Sequence, residues 1–288
     1  MCCVLLYAAA GPAQPAAPPA AAAEARKALE QAAAHFDKQE NEAALAAYDR
    51  AIALDRSNPE AFIGRGRTLA RLRRYEEAIA AYSEVLRLAP NHAMALRYRG
   101  HNAINLRRLD AALADLERAA ALEQNDFGIY YHLGLAYYLH GRWADAAQAY
   151  EGCTRTARTD DDRVACLAWR YPSLRRAGRA EEAARLLEQV TPDLKVEESA
   201  VYLDRLLLFK GQRTEEEAAR RMAPPAGGAP AGDAAIQRAT AGYSLGLWHL
   251  LEGRPERARA YFEQAAAAGA PWAFGAIAAE IELRRMRQ

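Results

Sequence analysis

Residues 59–92, PEAFIGRGRTLARLRRYEEAIAAYSEVLRLAPNH, hold a pattern that recurs when the sequence is shifted by 34 residues in either direction. In each copy a small residue is followed four residues later by a large one, and three residues after that by another small or β-branched one. These triplets are Ala44/Tyr48/Ala51, Ala78/Tyr82/Val85, Ala112/Leu116/Ala119 and Ala146/Tyr150/Cys153. A period of roughly 20 to 50 residues is typical of solenoids built from stacked repeats.

Each copy of the pattern predicts two helices. In the copy at 59–92 we expect the first helix at about 60–72 and the second at about 76–89, where Pro90 ends it. The first helices carry a glycine at the same place in three repeats, and the second helices carry the small residues of the triplets. We therefore expect the two backbones to approach closely there, with the large residue of the triplet filling the wider gap beside them. The glycines are Gly66, Gly100 and Gly134.

The spacing of these residues resembles that of the tetratricopeptide repeat family. The resemblance is carried by Tyr130-x-x-Leu133-Gly134-x-x-Tyr137 followed by Ala146-x-x-x-Tyr150, and by Ala78-x-x-x-Tyr82 with Pro90. It implies an all-α fold, a right-handed α-solenoid of helix-turn-helix repeats whose first helices line a concave groove.

The repeats divide the sequence into five segments. We predict a signal-like or disordered Pro/Ala-rich segment at 1–24, four regular repeats at 25–160, two divergent helix pairs at 161–221, a flexible Pro/Gly insertion at 222–235, and a final repeat with a C-terminal capping helix at 236–288. The segments after residue 160 are assigned from weaker patterns, because the 34-residue phase slips there.

Composition narrows the function. The chain has 38 Lys and Arg against 37 Asp and Glu, so its net charge of +1 argues against a broad nucleic-acid-binding surface. The sequence lacks the HExxH, GxSxG, phosphate-loop and dinucleotide motifs of common enzymes, and its Cys and His residues are not spaced as zinc ligands. We expect a non-enzymatic protein without metal or cofactor.

The N-terminus has two interpretations. Residues 4–10, VLLYAAA, are similar to the apolar region of an export signal, but the basic start that such signals carry is missing. Cys2 and Cys3 precede this run, so no lipidation site is recognisable. An exported or tethered protein is one reading, and a cytosolic protein with a disordered tail is the other.

Residues 160–285 show a second, weaker resemblance, to the NlpI lipoprotein family. It rests on Ala168-Trp169-Arg170-Tyr171, Phe209-Lys210-Gly211 and Tyr243-Ser244-Leu245-Gly246. This resemblance implies a bacterial, envelope-located adaptor that docks proteases and peptidoglycan enzymes.

Mapping the repeat onto the sequence predicts which side chains line the groove. They form a basic-to-aromatic strip, suited to an extended peptide or a partner helix with acidic and apolar groups, although each could equally be ordinary solvated surface. The predicted groove residues are Arg67, Arg71, Arg97, His101, Asn105, Tyr131, Leu135 and Tyr138. The positions of the carboxylate clamp found in chaperone-binding repeats hold Ile63, Arg67, Tyr98, Gly128 and His132, which do not support that function.

Two cysteines lie where adjacent helices of such a stack touch. Cys153 ends the second helix of the fourth repeat, and Cys166 lies near the start of the next first helix. We expect a disulfide between them if the protein is exported, and a buried reduced pair otherwise.

Three functions remain open from the sequence. The first is a scaffold that binds a peptide or a partner protein in its groove, as an NlpI-like envelope adaptor would. The second is a cytosolic or membrane-tethered scaffold with unrelated partners, and the third is the regulatory arm of an enzyme.

Overall fold

A computed structural model of the chain describes residues 19–224 and 231–288. Within these residues the regular structure is helical, in hairpins that stack as an α-solenoid, which confirms the predicted fold class. Most of the signal-like segment, 1–18, and the centre of the Pro/Gly insertion, 225–230, lie outside the described residues. In the part that is described, no helix is both long and apolar enough to cross a membrane.

The chain divides into two compact units, 1–90 and 91–288, here named the N-terminal and C-terminal units. The N-terminal unit contains two helical hairpins, α1 with α2 and α3 with α4. Their helices are α1 (Pro19–Asp37), α2 (Asn41–Leu54), α3 (Pro59–Arg71) and α4 (Tyr75–Leu88). The bounds of α3 and α4 lie within one or two residues of the predicted ones.

The C-terminal unit continues the alternation of first and second helices and ends with one additional helix. Its helices are α5 (Ala93–Asn105), α6 (Leu109–Leu122), α7 (Phe127–His140), α8 (Trp143–Thr156), α9 (Asp160–Arg176), α10 (Ala180–Glu188), α11 (Ala200–Phe209), α12 (Glu215–Met222), α13 (Ala231–Leu251), α14 (Pro255–Ala266) and α15 (Phe274–Arg285).

The close approach predicted at the three glycines is present in the three hairpins that carry them. A Cβ atom added to Gly66 would lie 2.5 Å from Cε1 of Tyr82, and one added to Gly100 would lie 2.7 Å from Cγ of Leu116. The same test at Gly134 gives 2.8 Å to the ring of Tyr150. These separations are far below van der Waals contact, so the large residue of each triplet packs directly onto the glycine of the preceding helix.

The turns inside the hairpins repeat a left-handed backbone conformation every 34 residues. Gln39, Arg73 and Arg107 have φ values of 61°, 63° and 60°, and Gly141 takes the same place in the fourth repeat with φ 94°. Glycine adopts this conformation without the steric cost that side chains incur. The turn geometry is therefore set by the packing of the two helices, whether or not glycine is present.

The acidic cluster at 160–162 starts α9 and holds a downstream loop. Thr159 caps the helix by accepting a hydrogen bond from the backbone amide of Asp162. The carboxylate of Asp160 accepts the backbone N–H of Lys195, and that of Asp161 accepts those of Glu197 and Ser199. The cluster is thus structural, as expected for acidic residues at a helix start.

Two predicted segment boundaries need correction. Residues 19–24 of the signal-like segment are helical, as part of α1. Both ends of the predicted insertion 222–235 are helical, because Met222 is buried in α12 and 231–235 form the first turns of α13. Ala235 packs in a small core with Ala239, Ala270, Ala273 and Ala276, which explains why these alanine-rich turns are ordered.

The last helix does more than cap the final repeat. Besides packing against α13 and α14, α15 reaches the first helices of earlier repeats in the C-terminal unit. Phe274 contacts His101 of α5 and His132 of α7, and Glu282 pairs with Arg176 of α9. The core of this unit therefore joins residues that are far apart in sequence.

Candidate functional site

The predicted groove residues of the N-terminal unit are exposed and share one aromatic side chain. Arg67 and Arg71 lie one turn apart on α3, so both project from the same face. Their guanidinium carbons lie 4.7 and 3.7 Å from the ring centre of Phe36, which belongs to α1 and is itself buried. Cation–π attraction holds the two positive charges above this ring.

Arg71 is also anchored through the backbone. Its Nη1 donates a hydrogen bond to the carbonyl of Phe36 at 2.7 Å and lies 3.4 Å from Oδ1 of Asn41. These contacts leave part of each guanidinium facing solvent. The arrangement can accept the carboxylates of a ligand while Phe36 contributes apolar surface.

The predicted groove residues on α5 are engaged within the protein. Arg97 forms an ion pair with Asp126 at 3.3 Å and lies over the ring of Tyr98. His101 stacks on His132 with ring centres 4.4 Å apart, and burial together with the charge of Arg97 lowers its pKa to about 4. Asn105, at the end of α5, is only 7% exposed.

The predicted groove residues on α7 are covered by other helices. Leu135 and Tyr138 are fully buried, and Tyr131 is half-buried between Tyr150 and Phe274. The hydroxyl of Tyr138 accepts hydrogen bonds from Tyr243 of α13 at 3.0 Å and from Arg176 of α9 at 3.2 Å. Leu135, Tyr138 and Asn105 therefore do not line an open surface in this structure, which corrects that expectation.

The groove of the C-terminal unit is covered in part by α15. Its acidic side chains pair with two arginines: Glu280 accepts hydrogen bonds from Arg107 in the turn after α5, and Glu282 from Arg176 at the end of α9. Arg285 donates to the carbonyl of Leu139 at 2.7 Å. The C-terminal helix thus contacts the place where the sequence predicted a partner. Glu280 and Glu282 on the last predicted helix are the sequence signal for this pairing.

Cys153 of α8 and Cys166 of α9 are joined by a disulfide in the structure. Their Cα atoms lie 5.8 Å apart, within the range that a disulfide requires. Both residues are fully buried in the core of the C-terminal unit. In the described part of the chain there is no group of three or more His, Cys, Asp and Glu side chains that could hold a metal ion.

Comparison with known proteins supports the repeat assignment. A family model described as tetratricopeptide repeat matches residues 29–93 and 99–160. No curated protein matches the sequence.

Three solved structures illustrate the similarity of fold. MamA is 20% identical with a TM-score of 0.52, covering 66% of this chain and 94% of that one. A MamA fragment from Desulfovibrio magneticus RS-1, residues 41 to the end, is 23% identical with a TM-score of 0.52, covering 58% and 92%. YrrB, described as a TPR protein with an unusual peptide-binding site, is 22% identical with a TM-score of 0.52, covering 65% and 91%. At these identities the likeness concerns the fold, and the tetratricopeptide repeat model matches residues 29–93 and 99–160 of the chain.

Proposed function

We propose that this protein is a non-enzymatic interaction scaffold that binds an acidic peptide segment along Phe36, Arg67 and Arg71. The observation that carries the proposal is the pair of exposed guanidinium groups above a single buried aromatic ring. Arginine is suited to such a site because its planar head can bind a carboxylate with two hydrogen bonds while stacking on a ring. Peptide binding by YrrB, a protein of similar fold, is in line with this role.

In the C-terminal unit the surface that could bind a partner is already occupied. Its first-helix surface already contacts α15, through Phe274, Glu280 and Glu282. A partner would have to displace these contacts to bind there, whereas Arg67 and Arg71 require no such step. The proposed peptide therefore binds first to the N-terminal unit.

Charge reversal tests this proposal. Native protein would be used to capture partners, and the captured acidic segments would be synthesised as peptides for affinity measurement. Arg67→Glu/Arg71→Glu should weaken peptide binding by about tenfold or more, since two attractive charges become repulsive. Arg56→Glu/Arg87→Glu makes the same change in net charge at exposed positions of the same unit and should leave the affinity within about twofold. Equal affinity for both variants would assign the peptide to another surface.

We also propose that the protein is exported and acts in the bacterial envelope, as the NlpI-like pattern of residues 160–285 implies. The disulfide between Cys153 and Cys166 supports this location, because disulfides persist in oxidising compartments and are rare in the cytosol. A cytosolic scaffold is the alternative.

Location and thiol state can be measured together. The native protein should appear in the envelope fraction, with Cys153 and Cys166 protected from alkylation under denaturing conditions until a reductant is added. Free thiols at both positions in protein recovered from the cytosol would favour the alternative.

A further inference from the structure

The interior of the C-terminal unit contains a cation that forms no ion pair with the described carboxylates. Arg205 of α11 is fully buried, with its guanidinium carbon 5.0 Å from the ring centre of Trp169 and 4.9 Å from that of Tyr202. Its Nη2 donates one hydrogen bond, to the carbonyl of Ala168 at 2.6 Å. Its Nε and Nη1 are buried and have no hydrogen-bond partner.

Neighbouring acidic groups do not neutralise this charge. Asp204, the adjacent residue, pairs instead with Arg213 at 3.5 Å and Arg221 at 2.7 Å. Among the described residues, no carboxylate forms an ion pair with Arg205. A buried, unpaired charge with two unused donors is strongly unfavourable, because burial removes the hydration of the cation without replacing it. An anion in contact with Arg205 would relieve this cost.

Further hydrogen-bond donors surround the same ring pair. Nε1 of Trp169 and the hydroxyl of Tyr150 are both buried, and the Tyr150 hydroxyl has no hydrogen-bond partner among the described residues. Tyr131 packs against Tyr150 with ring centres 6.1 Å apart. Burial raises the pKa of Tyr131 well above its usual range, and its hydroxyl is hydrogen-bonded to the side chains of Tyr202 and Trp169. Burial likewise raises the pKa of Tyr150, so its unpartnered hydroxyl stays protonated and able to donate.

We infer that Arg205, Trp169, Tyr131, Tyr150 and Tyr202 form a binding site for a carboxylate group. A carboxylate carries the single negative charge that Arg205 can neutralise, and it matches the planar guanidinium with two hydrogen bonds. A phosphate dianion would leave one charge uncompensated in an aromatic surrounding. The donors in this cluster therefore select a monoanion.

A neighbouring cavity indicates where the rest of the ligand would lie. It measures about 630 Å³, and Tyr202 lines it together with Val201 and Ile236. Ile236 is one of the large apolar side chains that remain exposed. Glu197, Glu198 and Asp233 also line the cavity and would repel further negative charge. The fitting ligand is therefore a monocarboxylate with an apolar body.

A carboxylate site at Arg205 would be additional to the proposed function and does not depend on it. The carboxylate can belong to a free organic acid or to the C-terminus of a peptide, and both would use the same donors. Arg67 and Arg71 lie in the other unit, so the outcome at Arg205 is read independently of the charge-reversal test.

The test uses the full-length protein and matched pairs of probes. The first pair is phenylacetate with the neutral phenylacetamide, and the second is N-acetyl-Ala-Phe with its C-terminal amide. Binding would be followed through the indole ¹H–¹⁵N signal of Trp169, assigned by its loss in Trp169→Phe. We expect at least one carboxylate to shift this signal in a saturable way, and its amide to bind at least about tenfold more weakly. The probe pair that responds identifies the source of the carboxylate.

Variants then separate ligand binding from a structural role of the cation. Arg205→Met should weaken the responding carboxylate at least about tenfold, and its thermal stability without ligand should equal or exceed that of the wild type. Arg220→Met, which removes an exposed charge on α12, should leave the affinity within about twofold. Tyr150→Phe, which removes an unpartnered hydroxyl, should weaken binding about three- to tenfold and provides a second test if Arg205→Met does not fold.

Two results would contradict the proposal of a carboxylate site at Arg205. One is the absence of any response of Trp169 to both carboxylates, or an equal response to acid and amide. The other is a folded Arg205→Met protein that is less stable than the wild type without ligand and binds the carboxylate unchanged. That combination would assign Arg205 to packing alone.

Discussion

Arg176 of α9 and Glu282 of α15 form a buried ion pair through two hydrogen bonds, although 106 residues separate them. The bonds measure 2.5 and 2.9 Å, and the side chains are 12% and 2% exposed. Arg285 also donates to the Glu282 carboxylate, at 2.7 Å. This pair joins the last helix to the first-helix layer of the C-terminal unit. Because both side chains are buried, little water could solvate one charge if the other were removed.

Removing the acid of this pair should therefore destabilise the protein strongly. Glu282→Ala leaves the Arg176 guanidinium buried without its counter-ion, and we expect the free energy of unfolding of the C-terminal unit to fall by about 3–5 kcal/mol. Urea denaturation followed by circular dichroism measures this change. Arg176→Met in the same chain should restore part of the loss, whereas Glu263→Ala, at an exposed position of α14, should change stability by less than about 0.5 kcal/mol. A wild-type-like midpoint for Glu282→Ala would show that α15 is held by other contacts.

The stacked histidines beneath Phe274 should make this unit sensitive to acid. Burial and the nearby charge of Arg97 lower the pKa of His101 from 6.5 to about 4, and burial likewise lowers that of His132. Between these pH values the unfolded chain binds protons that the folded chain excludes. The contribution of the buried histidines to the free energy of unfolding is therefore complete above about pH 6.5, and it is lost as the pH falls toward 4.

The size of this acid effect can be measured against a variant. We expect the free energy of unfolding to decrease on the order of 2–3 kcal/mol between pH 7 and 4.5 because of His101. His101→Phe keeps an aromatic ring in the stack and should show a smaller decrease over the same interval. His140→Gln, which changes an exposed histidine, should behave like the wild type. Identical pH profiles for wild type and His101→Phe would exclude this histidine as the source.

The seam between α5 and α6 should not tolerate a methyl group at Gly100. The added Cβ would lie 2.7 Å from Cγ of Leu116, and we expect Gly100→Ala to cost about 1–3 kcal/mol despite the better helix propensity of alanine. Shortening the opposing side chain should relieve the clash, so that Gly100→Ala/Leu116→Ala costs less than the sum of the two single changes. Additive effects in thermal denaturation would mean that the two positions do not touch.

The left-handed turns offer a way to stabilise the protein. Gln39 is exposed and has φ 61°, so Gln39→Gly removes the steric cost of a side chain there and should raise stability by about 0.5–1 kcal/mol. Gly178→Ala is the converse change, at a turn with φ 77° and open space around the added Cβ. It should lower stability by about 1 kcal/mol. Melting temperatures that move in the same direction for both would contradict the conformational argument.

Whether a contact can be predicted from the sequence depends on how far apart its two residues lie in the chain. The hairpins were predictable because their contacts are local: Gly66 meets Tyr82, and Gly134 meets Tyr150, each pair within one 34-residue unit. The exposure of Arg67 and Arg71 follows from the same register. The burial of Leu135 and Tyr138 could not be read from that register, because it depends on where α13 and α15 return.

The buried cation illustrates the same limit. In the sequence, Arg205 lies in a weakly patterned segment and is indistinguishable from a surface arginine. Its position between Trp169 and Tyr202 arises only when α9 and α11 pack together, and these belong to the divergent repeats where the 34-residue phase is lost.

The sequence alone therefore determined the repeat, its helical hairpins and the seam at which their backbones meet, since these depend on side-chain size at fixed short spacing. Tertiary structure decided which surfaces stay open, because α15 binds Arg107 and Arg176 across more than a hundred residues. Contacts between residues so far apart in the chain leave no periodic pattern in the sequence.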